Sequence, residues 1–430
     1  MNSTVFMKSA ENDLTDCVRE CFNAFGGVDS IVKGNVFLKI NATMPMLAAI
    51  TNPEVILAVI RVVKEAKEKP KQIFVFDNCA VGFFTRYIFS LEHLAQRIKK
   101  LGAKPLYLDE QKSIDVEFHG KALDKPIPIP KILYENLVEH KTENTYINIP
   151  KLKTHLQTGM TCCIKNQHGL LYAAEKVYNH HLIDEKLIDI MTIFKPDFNL
   201  VDATTVVDYG QFPIIPEWEI PMHLLLSGKD PVALDTVGAA LLGIENVKHI
   251  ELAAEKGFGC NELDKIEILP SRDLLEKNKC QLHCKGLPLK PSEKLTLLRG
   301  NQVCRTGCLT LGLYFVIFTH DTNFGPCVGV IGKGHNTAEL DKYPGPFIVN
   351  GPCAVSELKD YFENRKAQGE KIKVYYVNDH CNLAELIKVV MKGCNIPFSH
   401  LFNVMDVNFL KVFYHLILAK FHGVRCIMKF

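Results

Sequence analysis

The stretch NTYINIPKLKTHLQTGMTCCIKNQHGLLYAA, residues 144–174, holds no Asp or Glu, yet it carries Lys151, Lys153, Lys165, His155 and His168. The short apolar run Tyr146 to Ile149 followed by Pro150 reads as a strand entering a loop. Lys151 and Lys153 are two residues apart and share a face if the backbone stays extended, and His155 has the same parity. A cation-rich loop at the end of a strand suits capture of a carboxylate or phosphate, and it is equally the pattern of a solvated basic loop.

The flanking sequence sets the fold class. Val36–Ile40 reads as a buried strand ending at Asn41. PEVILAVIRVVKEAKEK reads as a helix with Pro53 in its first turn. KQIFVFD is a strand ending at Asp77 and Asn78, residues 91–101 form a helix, and KPLYLD is a third strand. Strand–helix–strand–helix–strand is the signature of a mostly parallel sheet with crossover helices, an α/β fold. Ligands in such sheets sit beyond the carboxyl ends of the strands, where Lys39, Asn41, Asp77 and Asn78 fall. The alternative is that Asp77 and Asn78 only terminate a strand and cap a turn. Further on, Glu185–Phe194 reads as a helix and Phe198–Val201 as a strand ending at Asp202. MHLLLS is another strand, and Asp230 before Pro231 reads as a helix cap. Asp235, in the second turn, faces either solvent or the site. Helix 247–256 and strand 265–269 close this unit. Residues 1–30 read as helical, with Cys17 and Cys21 packed on one face.

PKLKTH, a Thr-rich connection and IKNQHGLL, with VFLKIN before them and LVDAT and SGKDPVALDTVGAALLG after them, resemble the domain-of-unknown-function family numbered 362. The resemblance spans roughly residues 30–270. It implies association with iron–sulfur clusters and names no reaction.

Composition excludes several classes. The chain has 430 residues, 47% hydrophobic and 23% charged, with a net charge of +2, so bulk nucleic-acid binding is not expected. No run of 18 apolar residues occurs, and the first residues lack a secretion signal. Fifteen cysteines in such a chain imply a reducing, cytoplasmic setting with thiols kept free or used as ligands. Neither a dinucleotide fingerprint nor a phosphate-loop motif is present, nor a G-x-S-x-G elbow. Cys162-Cys163 lacks the helix-N-terminus or C-x-x-C context that depresses a thiol pKa, and adjacent cysteines are more often packed than catalytic, although their cationic setting would favour a thiolate.

The sequence divides into an α/β domain over 1–270, a linker over 271–300, a smaller cysteine-rich α/β domain over 301–400 and an amphipathic C-terminal helix over 401–430. LGLYFVIF, residues 311–318, reads as a core strand, followed by FIVN and KVYYVN with their helices. Cys304, Cys308, Cys327, Cys353, Cys381 and Cys394 stand at junctions where an iron–sulfur cluster could approach the backbone, although the ferredoxin run C-x2-C-x2-C-x3-C-P is absent. Gly332–Asn336, GKGHN, is a glycine-rich turn able to hold an anion. The terminal helix suits docking on the protein's own core or peripheral contact with a membrane.

These features support three functions. The first is an iron–sulfur redox enzyme or accessory protein of anaerobic metabolism, working with a redox partner protein. An anionic small molecule is held by Lys39, Asn41, Asp77, Asn78, Lys151, Asn166, Asp202 and Asp235. Lys153, His155, Lys165 and His168 do the chemistry, and Asp202 with Asp235 could hold a divalent metal. The second is a nickel- or nucleotide-dependent isomerase or racemase. The third is a non-enzymatic metal or cluster scaffold.

Overall fold

The computed structural model describes residues 3–210, 213, 216–284, 292–304, 307–378, 383–397, 399–400, 403 and 408–424. They form two compact units, one of residues 3–284 with 410–424 and one of residues 292–409.

The first unit carries strands β1 (Ser3–Ser9), β2 (Asn35–Ile40), β3 (Gln72–Asp77), β4 (Lys104–Tyr107), β5 (Ser113–Val116), β6 (Ile127–Pro130), β7 (Thr145–Ile149), β8 (Lys153–His155), β9 (Gly159–Thr161), β10 (Phe198–Val207), β11 (Glu219–Gly228) and β12 (Ile266–Leu269). Eight of them build one sheet in the order β12-β1-β11-β10-β7-β2-β3-β4. Only β11 runs against its neighbours, β1 and β10; every other pairing is parallel. The mostly parallel α/β architecture expected from the strand–helix alternation is what forms. β7 is buried along its whole length, as a strand covered by helices on both faces must be.

Connectivity makes a topological switch point between β2 and β7. From β2 the chain steps outward to β3 and β4, then returns to lay β7 on the other side of β2. Crossovers leaving in opposite directions part the loops at the carboxyl ends of β2 and β7. Lys39 pairs in register with Asn148 there, and Ile40 with Ile149.

Three local readings change. Residues 3–9, expected to be helical, form β1, because Val5 and Met7 alternate inward between β11 and β12; the helix starts only at Leu14. Residues 271–300, expected as a linker, hold the helix Asp273–Asn278 and the strand β13 (Leu295–Arg299), and Leu275 of that helix is buried in the first unit's core. LGLYFVIF is not a strand but lies within the helix Gly307–Thr319. A continuous apolar run fits a buried strand and a buried helix equally well, and here a crossover between parallel strands requires the helix.

The second unit is a four-stranded parallel sheet, β13 followed by β14 (Cys327–Ile331), β15 (Phe347–Asn350) and β16 (Val374–Val377), with neighbours in chain order. The terminal helix Phe409–Phe421 packs on the first unit. The His415 ring lies tilted 5.3 Å from that of Tyr87, and Lys411 donates to Ser90 O at 3.3 Å. Its Leu410, Phe413, Tyr414, Ile417 and Phe421 remain exposed. Among the described residues no helix is long and apolar enough to cross a membrane.

Asp230 caps the helix Pro231–Leu242 as its sequence context predicts, accepting the N–H groups of Val232 (2.8 Å) and Ala233 (2.9 Å). It also accepts the Ser3 hydroxyl at 2.5 Å and the Cys260 N–H at 2.9 Å, so one carboxylate ties β1, the helix and the 260 turn together. Asp230→Ala should therefore lower stability by about 2–3 kcal/mol, more than a simple cap. Urea unfolding followed by circular dichroism checks this; a loss near zero would mean the network holds nothing.

Candidate functional site

The residues at the carboxyl ends of β2, β3 and β7 are nearly all buried, so each polar atom there must find a partner. Lys39 ends β2 and meets Asp77 at the end of β3, Nζ to Oδ1 at 2.6 Å. Asp77 also accepts the N–H groups of Ala42 (2.5 Å) and Asn78 (2.7 Å). Gly169, in IKNQHGLL, presses against this pair; a Cβ there would collide with Asp77 Oδ1 and Lys39 Nζ. Lys151 pairs with Asp202 at 3.0 Å, joining β7 to β10, and Asp202 further accepts from Asn52 N (2.7 Å) and from Thr204. These two ion pairs splice neighbouring strands.

Asn41, Asn166, Asn148 and Asn199 form a chain of buried amides. Asn41 donates to Asn166 Oδ1 at 3.0 Å, Asn166 to Asn148 Oδ1 at 2.8 Å, and Asn148 to Asn199 Oδ1 at 2.9 Å. It crosses β2, β7 and β10 and fixes the amide of Asn41 beneath Lys153.

Lys153 is 1% exposed, and its acceptors among the described residues are all neutral: Asn41 Oδ1 (3.2 Å), Thr43 Oγ1 (3.3 Å) and Ala49 O. Burial, then the ammonium groups of Lys151 and Lys165, push its pKa down to about 7. Lys176 likewise donates to Asn78 O (2.7 Å) and Cys79 O (2.6 Å), and burial lowers it to about 8. Lys165 makes no hydrogen bond or ion pair among the described residues; burial and Lys176 lower it to about 8. No carboxylate among the described residues lies within ion-pair distance of these three lysines, so the site carries a surplus of positive charge. His155 accepts the N–H groups of Gln157 (3.2 Å) and Thr158 (3.3 Å) at Nδ1, which makes it the neutral Nε2–H tautomer. Burial and Lys165 hold it well below the ordinary histidine range, and the same causes act on His168. His168 Nε2 is buried without a hydrogen-bond partner among the described residues, and its ring lies 5.8 Å from that of His180.

The structure thus brings Lys39, Asn41, Asp77, Asn78, Lys151, Lys153, Lys165, Asn166, His155 and His168 to one end of the sheet. Asp202 and Asp235 have separate sets of partners. Asp235 faces neither solvent nor the lysines but accepts the N–H groups of Cys163 (2.7 Å) and Ile164 (3.1 Å) at the start of the helix Cys163–Asn166. Cys162 and Cys163 are packed in an apolar core, and burial raises Cys162 to about 11 and holds Cys163 well above the ordinary thiol range, so the cationic sequence setting does not make them thiolates. The GKGHN turn already holds an anion of its own, because Gly334 N and His335 N donate to the Glu357 carboxylate at 2.8 and 2.9 Å.

The cysteines of the second unit fall into two groups. Cys304 and Cys308 follow β13, with Cys308 N donating to Cys304 Sγ at 3.4 Å, and Cys353, following β15, lies close enough to perturb Cys308. Cys327 begins β14 and pairs with Cys394 at the opposite end of the sheet. Cys381 lies outside the described residues. Asn148, Asn199 and Lys176 were not singled out from sequence. Asn148 had a signal, being a polar residue inside a run buried on both faces; Lys176 reads as an ordinary solvated helix lysine.

The fold and site define an α/β domain with a basic, largely buried cluster of side chains at a topological switch point. Residues 36–240 match the model of the family described as Domain of unknown function (DUF362), which bears out the resemblance drawn from the motifs. The thylakoid-associated protein sll1697 of Synechocystis is 26% identical over 269 residues, covering 57% of this chain and 74% of the relative.

Asp77→Ala should cost about 3–5 kcal/mol, because it strands the buried Lys39 charge. Adding Lys39→Met to Asp77→Ala should recover part of that loss. Urea unfolding of the single and double variants measures both, and a loss below about 1 kcal/mol for Asp77→Ala would show that the pair does not hold β2 to β3.

Proposed function

We propose that the first unit binds an anionic small molecule, a carboxylate or phosphate ester, at the carboxyl ends of β2, β3 and β7 and transfers protons there. The observation that carries this is the charge of Lys153, Lys165 and Lys176, none of which meets a carboxylate within ion-pair distance among the described residues; Lys153 and Lys176 are buried and Lys165 is partly buried beside them. An isolated buried ammonium is costly, and an anion that replaces the missing counter-charges gains what those lysines lack. Neutral His155 and His168 supply acid–base groups whose protonation an arriving anion would shift upward.

The redox reading adds an iron–sulfur cluster on the second unit. Cys304, Cys308 and Cys353 support it, since all three stand at the carboxyl end of that sheet; Cys327 and Cys394 stand at the other end and would not share the cluster. When bound, the cluster would supply one-electron transfer to a partner protein. Iron and acid-labile sulfide measured on anaerobically purified protein test it, and values unchanged by Cys304→Ser and Cys353→Ser would remove these ligands from the proposal. Free thiols suit a cytoplasmic location. The exposed apolar side chains of helix Phe409–Phe421, and the thylakoid association of the relative, support peripheral membrane contact.

Calorimetric titration with inorganic phosphate and with succinate tests the anion site. Lys165→Met should weaken binding of the preferred anion about tenfold or more, with the fold intact because Lys165 has no partner to lose. Equal affinity in Lys165→Met and the wild type would sink the proposal.

Affinity should also fall as pH rises above about 7. The anion needs Lys153 charged, and above its pKa of about 7 binding must first take up a proton. The heat of binding should accordingly vary with the ionisation enthalpy of the buffer. The same shift has a stability sign. The cost of burying the Lys153 charge is full below about pH 7 and is relieved as pH rises toward its ordinary value of 10.5.

A further inference from the structure

Behind the basic cluster lies a second one, whose donors the anion site does not use. Cys162 Sγ, Cys163 Sγ and a carboxylate oxygen of Asp235 all lie within 4.8 Å of one another, and all three residues are buried. His249, near the start of the helix Lys248–Glu255, points its Nε2 at Asp235 Oδ2 from 4.0 Å. That nitrogen is buried, belongs to a residue with no solvent exposure, and has no hydrogen-bond partner among the described residues. On the far side of the ring, Nδ1 meets Asp184 Oδ1 at 3.3 Å.

We infer that Cys162, Cys163, Asp235 and His249 form a closed structural site for a zinc-class divalent cation, with Asp184 orienting the histidine. Four observations carry this. The two thiol sulfurs are 3.9 Å apart, and two thiolates on one tetrahedral zinc, each at about 2.3 Å, stand about 3.8 Å apart. Sulfur, imidazole and carboxylate together are the donor types zinc takes. A buried, partnerless imidazole nitrogen costs free energy unless something ligates it. A carboxylate on the other ring nitrogen is the support that metal-bound histidines have.

Asp235 is itself aimed by the N–H groups of Cys163 and Ile164, which leave each of its oxygens a further lone pair. Closing the site requires His249 to move toward Asp235 and the two sulfurs together, since its Nε2 stands outside the group in which the other three donors lie within 4.8 Å of one another, and donors on one tetrahedral zinc stand about 3.3–3.8 Å apart.

The charges suit the surroundings. Two thiolates, one carboxylate and a dication leave a single negative charge, in a core that borders the basic cluster: His249 is within electrostatic reach of His155, and Asp184 of Lys165. Metal binding would displace the two thiol protons. With four protein donors and no solvent access the cation has no open position, so its role is to pin the helix Cys163–Asn166 to the helices Pro231–Leu242 and Lys248–Glu255. The Asn166 amide and Lys165 lie on that pinned segment.

The full chain expressed in cobalt-supplemented medium and purified with reductant tests the site, since the metal then meets the protein as it folds. The expected result is one cobalt per chain, with the sulfur-to-cobalt charge-transfer band and the intense visible bands of a tetrahedral site. Cys162→Ser and Cys163→Ser should lose the charge-transfer band stepwise. His249→Gln should shift the visible bands, and Asp184→Asn should weaken cobalt retention about 10- to 100-fold against a chelator while keeping the spectrum. If the serine variants do not fold, His249→Gln and Asp184→Asn decide, with phosphate binding as the check that the fold persists. A reduced wild-type chain without cobalt would overturn the inference. So would bands unchanged in the Cys162, Cys163 and His249 variants, which would put the metal on Cys304, Cys308 and Cys353.

Discussion

A lysine removed from water must be given either a counter-charge or a full set of oxygen acceptors, and this constraint shapes the first unit. Lys39 and Lys151 receive carboxylates, from Asp77 and Asp202, and those pairs splice β2 to β3 and β7 to β10. Lys153 and Lys176 receive carbonyl, amide and hydroxyl oxygens instead. The first arrangement neutralises charge and stabilises the sheet. The second leaves charge uncancelled there, and burial first, then the ammonium groups of Lys151 and Lys165, lower the pKa of Lys153 to about 7. One stretch of sequence thus supplies both kinds of lysine, two residues apart, and their partners alone separate a structural cation from one available to a ligand.

The switch point exists because of chain routing. β7 returns beside β2 after the chain has run out to β4, so the loops at the carboxyl ends of these two strands diverge. The amide chain from Asn41 through Asn166 and Asn148 to Asn199 fills the floor between them without adding charge. A floor of neutral amides under charged lysines keeps the local potential positive, which an acidic floor would cancel. Gly169 lets the segment IKNQHGLL lie directly on the Lys39–Asp77 pair, so the histidine next to it, His168, is held over the same region.

Burial also decides what the sulfur atoms can do. Cys162 and Cys163 stand among lysines in the sequence but among Leu152, Met160, Ile164 and Leu234 in space, and the apolar contacts raise their pKa values rather than lower them. As free nucleophiles they are poor; as donors to a cation that displaces their protons they are well placed. Asp235 follows the same logic. Seated in the second turn of its helix, it caps a different helix, the one that begins at Cys163.

Much of the framework was legible from sequence. Alternation of apolar runs with helical periodicity determined the parallel α/β sheet, the strand ends that carry Lys39, Asn41 and Asp77, and the cap at Asp230, because period and punctuation are local properties of the chain. The absence of carboxylates from residues 144–174 marked the basic cluster. Local pattern failed where it is degenerate: LGLYFVIF is apolar on every side, and only its place between parallel strands makes it a helix. Partners were beyond the sequence altogether. Lys39 finds Asp77 38 residues away, Lys153 finds Asn41 112 away, and Asp235 finds Cys163 72 away. Periodicity reports which side of an element is buried, but not which distant group meets it there, and the chemistry of a buried charge is set by that group.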